Sequence, residues 1–155
     1  MIIYTDGSCR PTNPGPGGYG VVVFDNNENL LYTYAHQEKN TTNNIQELKA
    51  ILYAFLYYGK KEGDINVVYS DSAYAVNTFT NWMYSWQRNG WRKSDKKTPE
   101  NLELIQAYWE HEQKGYKIDL RKIKGHANHL GNELADKLAT GVFSPEEVMN
   151  KYGRK

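Results

Sequence analysis

The sequence predicts an α/β fold in one domain over 1–155, with a core spanning about 2–141 and a C-terminal tail over 142–155. Three observations lead there. Apolar residues recur at three and four positions over 43–58, short β-rich runs flank that stretch, and helical and extended segments alternate to the end. A chain of 155 residues buries roughly 70% of its unfolded surface, so one core suffices.

The elements follow in order. IIYT, from Ile2, reads as a buried strand, and GSCRPTNPGPGG after Asp6 reads as a loop whose glycines and prolines forbid helix. YGVVVF and the stretch 30–35 are two further strands with DNNEN as the turn between them, which makes an antiparallel meander. Ile45, Leu48, Ile51, Leu52, Phe55 and Tyr58 form the apolar face of a helix, with Thr42 or Asn43 as N-cap and Gly59 as its stop. INVVYS is a short strand that leaves Asp71 at its C-terminal end, where ligands collect in α/β sheets, and Ser72 opens the helix AYAVNTF.

A polar region over 80–98, dotted with Trp82, Trp86 and Trp91, reads as a protrusion. Pro99 lies near the start of a helix carrying Leu102, Ile105, Tyr108 and Trp109. KIDLRKI alternates like a strand with one wet face. GHANHLGN is a loop, NELADKLAT a short helix closed by Gly141, and Pro145 begins a final helical tail.

Net charge is +1, so bulk electrostatics does not announce a nucleic-acid partner; the distribution of charge matters more. Arg88, Arg92, Lys93, Lys96 and Lys97 crowd around the tryptophans with Asp95 as the one acid, and Lys114, Lys117, Arg121, Lys122 and Lys124 form a second basic stretch. Met1 is followed at once by strand-like sequence, and no apolar run approaches the ~20 residues that span a bilayer. A cytoplasmic protein without membrane contact is expected. Cys9, the single cysteine, has no partner for an internal disulfide and reads as a bystander thiol.

The chemistry lies in four acids: Asp6 in YTDGS, Glu47 in TTNNIQEL, Asp71 in VVYSDSAY and Asp136 in GNELADKLA. Each falls at or beside a strand end or a helix turn, so a compact α/β fold can bring all four to one point. Anions gathered there repel unless a cation joins them. Carboxylate oxygens are hard ligands that suit Mg²⁺ or Mn²⁺, and paired ions are a standard device for displacement at a phosphodiester. The residues therefore point to a metal-dependent nuclease.

TDGS, NPGPGGYG, TTNNxxEL, DSxY, WxxxWxxxGW and KGHxxHxxNExAD, in that order over about 2–140, together resemble type 1 ribonuclease H. That resemblance implies a ribonuclease H-like fold: a five-stranded mixed sheet, three strands antiparallel and two parallel, flanked by helices and carrying a basic protrusion. It implies a monomer that cuts the RNA strand of RNA/DNA hybrids with two Mg²⁺, or Mn²⁺ in their place. Products would carry 5′-phosphate and 3′-hydroxyl ends, and the cellular task would be removal of RNA primers and R-loops.

Residue by residue, the resemblance makes Asp6, Glu47, Asp71 and Asp136 the metal ligands, with Asp6 bridging both ions. Asp136 would serve the ion on the side of the attacking water, Glu47 and Asp71 the ion facing the leaving 3′ oxygen. His126 matches a loop histidine that assists proton transfer or product release, with His129 as its rival; Asn132 matches a supporting residue, with a helix cap as the alternative. Gly7, Ser8 and Cys9 would meet the substrate through the backbone, Asn13, Asn43 and Asn44 would read the minor groove, and Thr42 would grip a phosphate of the DNA strand. Trp82, Trp86, Trp91, Arg88, Arg92, Lys93, Lys96 and Lys97 match the protrusion that tracks phosphates, although core packing is the competing role for Trp82.

Three positions depart from the family's pattern. The loop after Asp6 is one residue longer than the common form, Ala73 stands where a glutamine often contacts the RNA, and Asn40 stands where an arginine often assists the phosphate pocket. Rival readings are a reverse transcriptase's ribonuclease H domain, a hybrid-binding protein without catalysis, and a transposase or integrase core.

Overall fold

The computed structural model describes residues 1–125 and 129–153. Strands β1 (Ile2–Cys9), β2 (Gly15–Phe24), β3 (Leu30–Thr41), β4 (Val67–Ser70) and β5 (Asp119–Lys122) form one sheet in the order β3-β2-β1-β4-β5. β1, β2 and β3 pair antiparallel, whereas β4 pairs parallel with both β1 and β5. The sheet is mixed, as expected.

The first hairpin corrects the sequence reading. GSC belongs to β1 and GPGG to β2, so only 10–14 remain as the connection. Close approach by neighbouring backbone is what these glycines serve: a Cβ on Gly17 would lie 2.4 Å from the Ser8 carbonyl oxygen, and one on Gly18 2.5 Å from that of His36. The third strand also runs on to Thr41, well beyond the alternating stretch at its start.

Helix α1 (Asn43–Tyr58) has the expected bounds. Thr42 caps it, its side-chain oxygen accepting from the Ile45 amide at 3.1 Å. The helix lies on one face of the sheet, with Ala50 and Ala54 against Ile3, Val21, Val23 and Val68. Its flank bearing Leu48, Ile51 and Phe55 packs against Phe79, Met83, Ile105 and Tyr108. Helix α2 (Ala73–Asn77) leads into a π-helical turn (Thr78–Trp82) that supplies Phe79, while α3 (Met83–Arg88) supplies Met83 and α4 (Leu102–Gln113) supplies Ile105 and Tyr108. The region predicted as a polar protrusion from position 80 is thus helical as far as Arg88, because Phe79 and Met83, four apart, are both buried in the core.

The opposite face carries α5 (Leu130–Ala139), whose Leu134, Ala135 and Leu138 bury against Val22, Phe24 and Leu30. It begins two residues earlier than the sequence suggested. The tail is docked as α6 (Pro145–Tyr152): Ser144 and Glu147 form a reciprocal capping box, Val148 is fully buried, and Gly153 bridges to Leu30.

Candidate active site

Parallel pairing sets the geometry. Thr5 of β1 stands opposite Ser70 of β4, so the residues that follow them, Asp6 and Asp71, emerge side by side. Helix α1 brings Glu47 to the same place, pressed so close to β1 that a Cβ on Gly7 would fall 2.3 Å from the Glu47 backbone nitrogen. Only glycine fits there. The result is a trio: Asp6, Glu47 and Asp71 each offer a carboxylate oxygen, all within 4.8 Å of one another.

Burial makes the trio electrostatically costly. Asp6 is 6% exposed and Glu47 5%. The Gly7 amide donates to Asp6 Oδ1 at 3.0 Å, but Glu47 Oε2 has no hydrogen-bond partner. Burial, then the charges of Asp71 and Asp136, push the Asp6 carboxyl up to about 8. Burial, then Asp6 and Asp71, likewise hold the Glu47 carboxyl well above the usual range. Asp136, in α5, lies outside the tight trio, yet its charge and its hydrogen bond to Asp6 both act on that carboxyl. Clustered hard oxygens and an orphaned buried carboxylate oxygen fit a divalent cation, which would supply the missing partner.

His126 lies outside the described residues. His129 immediately precedes α5, with its ring 6.4 Å from that of Tyr4. Asn132 is not a helix cap: it sits inside the first turn of α5, 3% exposed, with Oδ1 unpartnered. Ser8 is buried in β1, and the Cys9 thiol is held by the Thr12 carbonyl at 3.0 Å.

At the start of α1 an open cleft of about 550 Å³ is lined by Asn13, Pro14, Thr42, Asn44, Ile45, Glu100 and Asn101. Asn43 joins its rim, donating its amide to Asn13 Oδ1 at 3.2 Å. Glu100 and Asn101 were not singled out by sequence reasoning. The one available signal was the polar TPEN run just ahead of a helix.

Trp82 is 39% exposed, which overturns core packing as its role. Trp86 and Trp91 are half-buried against the core, and Trp91 meets Trp109 edge to face at 5.7 Å. Beyond them the chain turns on itself, the Lys93 amide bonding the Lys97 carbonyl at 2.9 Å and Arg92 Nη1 the Lys96 carbonyl at 3.2 Å. Arg88, Arg92, Lys96 and Lys97 are exposed on this arm, and Lys93 is half-buried.

Comparison with known proteins gives a consistent set of relatives. The RNase H family model matches residues 1–144. A ribonuclease H of Cereibacter sphaeroides (strain ATCC 17025) is 40% identical over 151 residues, covering 94% of this chain and 95% of that protein. One of Rhizobium etli is 42% identical over 144 residues, covering 92% and 91%. Among solved structures, LC9-RNase H1, described as a type 1 RNase H with the type 2 active-site motif, matches with TM-score 0.72 and 32% identity over 89% of this chain and 69% of that one. LC11-RNase H1, solved in complex with an RNA/DNA hybrid, matches with TM-score 0.63 and 29% identity over 89% and 92%.

Proposed function

This chain belongs to the ribonuclease H family, and from that premise we propose that it hydrolyses the RNA strand of RNA/DNA hybrids endonucleolytically, using two Mg²⁺. The observation that carries the reading is the trio of Asp6, Glu47 and Asp71, with oxygens within 4.8 Å of one another, beside a buried Glu47 Oε2 that no protein group partners. Asp6, Glu47, Asp71 and Asp136 would hold the ions, Asp6 serving both. When bound, divalent ions supply positive charge to the scissile phosphate and make water a competent nucleophile near neutral pH; Mn²⁺ would substitute.

The protein's own groups do the rest. Asp136 acts on Asp6 without joining the mutual grouping of the trio, and we assign it the side of the attacking water. His126 is assigned the proton on that side, since an imidazole changes charge near ambient pH. Neutral donors and acceptors on Asn13, Asn43 and Asn44 suit the 2′-hydroxyls of a wide, shallow minor groove, which duplex DNA does not display. Thr42 and the amides beside it suit a phosphate of the DNA strand, and the cationic arm adds salt-sensitive affinity.

Hydrolysis of this kind leaves 5′-phosphate and 3′-hydroxyl ends, as removal of RNA primers and R-loops requires. We assign the activity to a cytoplasmic monomer. Among the described residues no helix is long and apolar enough to cross a membrane.

The deciding experiment offers labelled RNA/DNA hybrid, duplex DNA and duplex RNA, each with Mg²⁺ or with EDTA. Cutting confined to RNA in the hybrid, and lost in EDTA, is the expected result. Binding without cutting, or strand transfer into DNA, overturns the proposal.

A further inference from the structure

Asn101 has a conformation that its own helix does not explain. It occupies the N-cap position of α4 in the left-handed region, φ 62 and ψ 29, which asparagine tolerates better than most residues but which an N-cap, ordinarily extended, does not call for. An asparagine at a helix start ordinarily returns its side-chain oxygen to a backbone amide of the first turn. Here it makes no capping bond. Its side-chain nitrogen donates instead to the Tyr74 hydroxyl at 3.2 Å, and the residue lines the cleft beside Asn13, Thr42 and Asn44.

Tyr74 is well placed to hold something still. It is the second residue of α2, half-buried against the core cluster that contains Phe79 and Tyr108, and its ring lies 6.4 Å from that of Trp82. The phenol therefore spans from the base of the tryptophan arm to the edge of the cleft. Among the described residues lining that cleft, Glu100 alone is charged, and no cation is present. An anionic oxygen there must be met by neutral amides, and their contribution depends on being oriented in advance.

We propose that Tyr74 is a positioning residue for substrate: its hydroxyl takes one amide hydrogen of Asn101 and thereby aims the other at a phosphate oxygen of the hybrid. This rests on reading the cleft as part of the hybrid-binding face. The left-handed backbone follows from the same demand, because it turns the side chain away from α4 and towards Tyr74. Ala73, which precedes Tyr74 and is itself too short to reach substrate, increases the weight on this neutral contact.

The test is a double-mutant cycle of Tyr74→Phe and Asn101→Ala, with steady-state kinetics on a fixed hybrid and thermal unfolding of each variant. Tyr74→Phe keeps the ring and its packing, so melting should stay within about 2 °C while KM rises roughly fivefold, the worth of one neutral hydrogen bond. Turnover at saturating hybrid should be unchanged. Asn101→Ala should raise KM at least as much, and the double variant should add nothing further. Side-chain amide resonances of Asn101 should move in Tyr74→Phe, which reports positioning independently of kinetics.

If Asn101→Ala raises KM but Tyr74→Phe does not, or if the two effects add, positioning by Tyr74 is wrong and the cleft reading stands. If Asn101→Ala and Thr42→Ala both leave KM unchanged, the cleft is not a substrate contact and the proposal falls with it. A drop in melting temperature and turnover together in Tyr74→Phe assigns the residue a structural role and also overturns the proposal.

Discussion

Replacing Asp6 by asparagine should make the ion-free protein more stable, not less. In the wild type the Asp6 carboxyl is raised from its ordinary 3.8 to about 8, chiefly by burial and then by Asp71 and Asp136. Each pKa unit corresponds to about 1.4 kcal/mol, which caps the cost of ionising Asp6 in the folded state at about 6 kcal/mol. The sign follows from proton binding. Below pH ~4 both folded and unfolded chains are protonated at Asp6 and nothing is lost; from there up to about 8 only the unfolded chain has shed the proton, so folding is increasingly penalised.

Asparagine keeps the acceptor for the Gly7 amide, now at 3.0 Å from Oδ1, while removing the charge. Allowing for solvent and for relief already available through shared protons, a gain of about 1 to 3 kcal/mol is expected near pH 8, and less near pH 5. For a chain of this size that raises the melting temperature by roughly 3 to 10 °C. Calorimetry of both proteins in EDTA at the two pH values measures it. Saturating Mg²⁺ should shrink the difference by stabilising the wild type selectively. A variant no more stable than wild type in EDTA near pH 8, or a gap that does not widen with pH, would refute the electrostatic account of the cluster.

Three further outcomes follow from the geometry. Asp71→Asn should abolish turnover yet leave hybrid affinity within about tenfold, because phosphate contacts carry most of the binding; titration with labelled hybrid in parallel with cleavage assays checks it. Gly7→Ala should cost several kcal/mol in urea unfolding and most of the activity, since its Cβ would meet the Glu47 backbone at 2.3 Å, where no side chain can swing aside. Lys96→Ala with Lys97→Ala should weaken hybrid binding mainly at low salt and flatten the slope of log affinity against log salt by about 2, and an unchanged slope would reduce the arm to scaffolding.

The sequence disclosed most where one local rule governs an element. Helix α1 was legible to the residue, because its apolar period, Thr42 and Gly59 all speak for the same boundaries. Long-range packing hid the rest. GSC and GPGG look like loop because glycine usually signals a turn, yet these glycines admit neighbouring backbone into a tight sheet. The helical start of the arm was obscured by polar residues between Phe79 and Met83, and the side-chain partner of the left-handed Asn101 lies 27 positions away. The acids were found as an ordered set; their unequal grouping, three mutually close and Asp136 acting on Asp6, depends on how β1, β4, α1 and α5 meet.

That dependence explains why a destabilising cluster persists in a folded chain. Asp6 and Asp71 lie just past a parallel register anchored by Ile3 and Val68, both fully buried, and Glu47 immediately precedes Leu48, also fully buried. The backbones that carry the three carboxylates can separate only if the strands or α1 move, which would open the core. Repulsion is therefore retained as a standing demand for cations instead of being relaxed by a local shift. The fold supplies the rigidity and the ions remove the penalty, so affinity for the ions and stability of the loaded protein should rise and fall together across variants of this core.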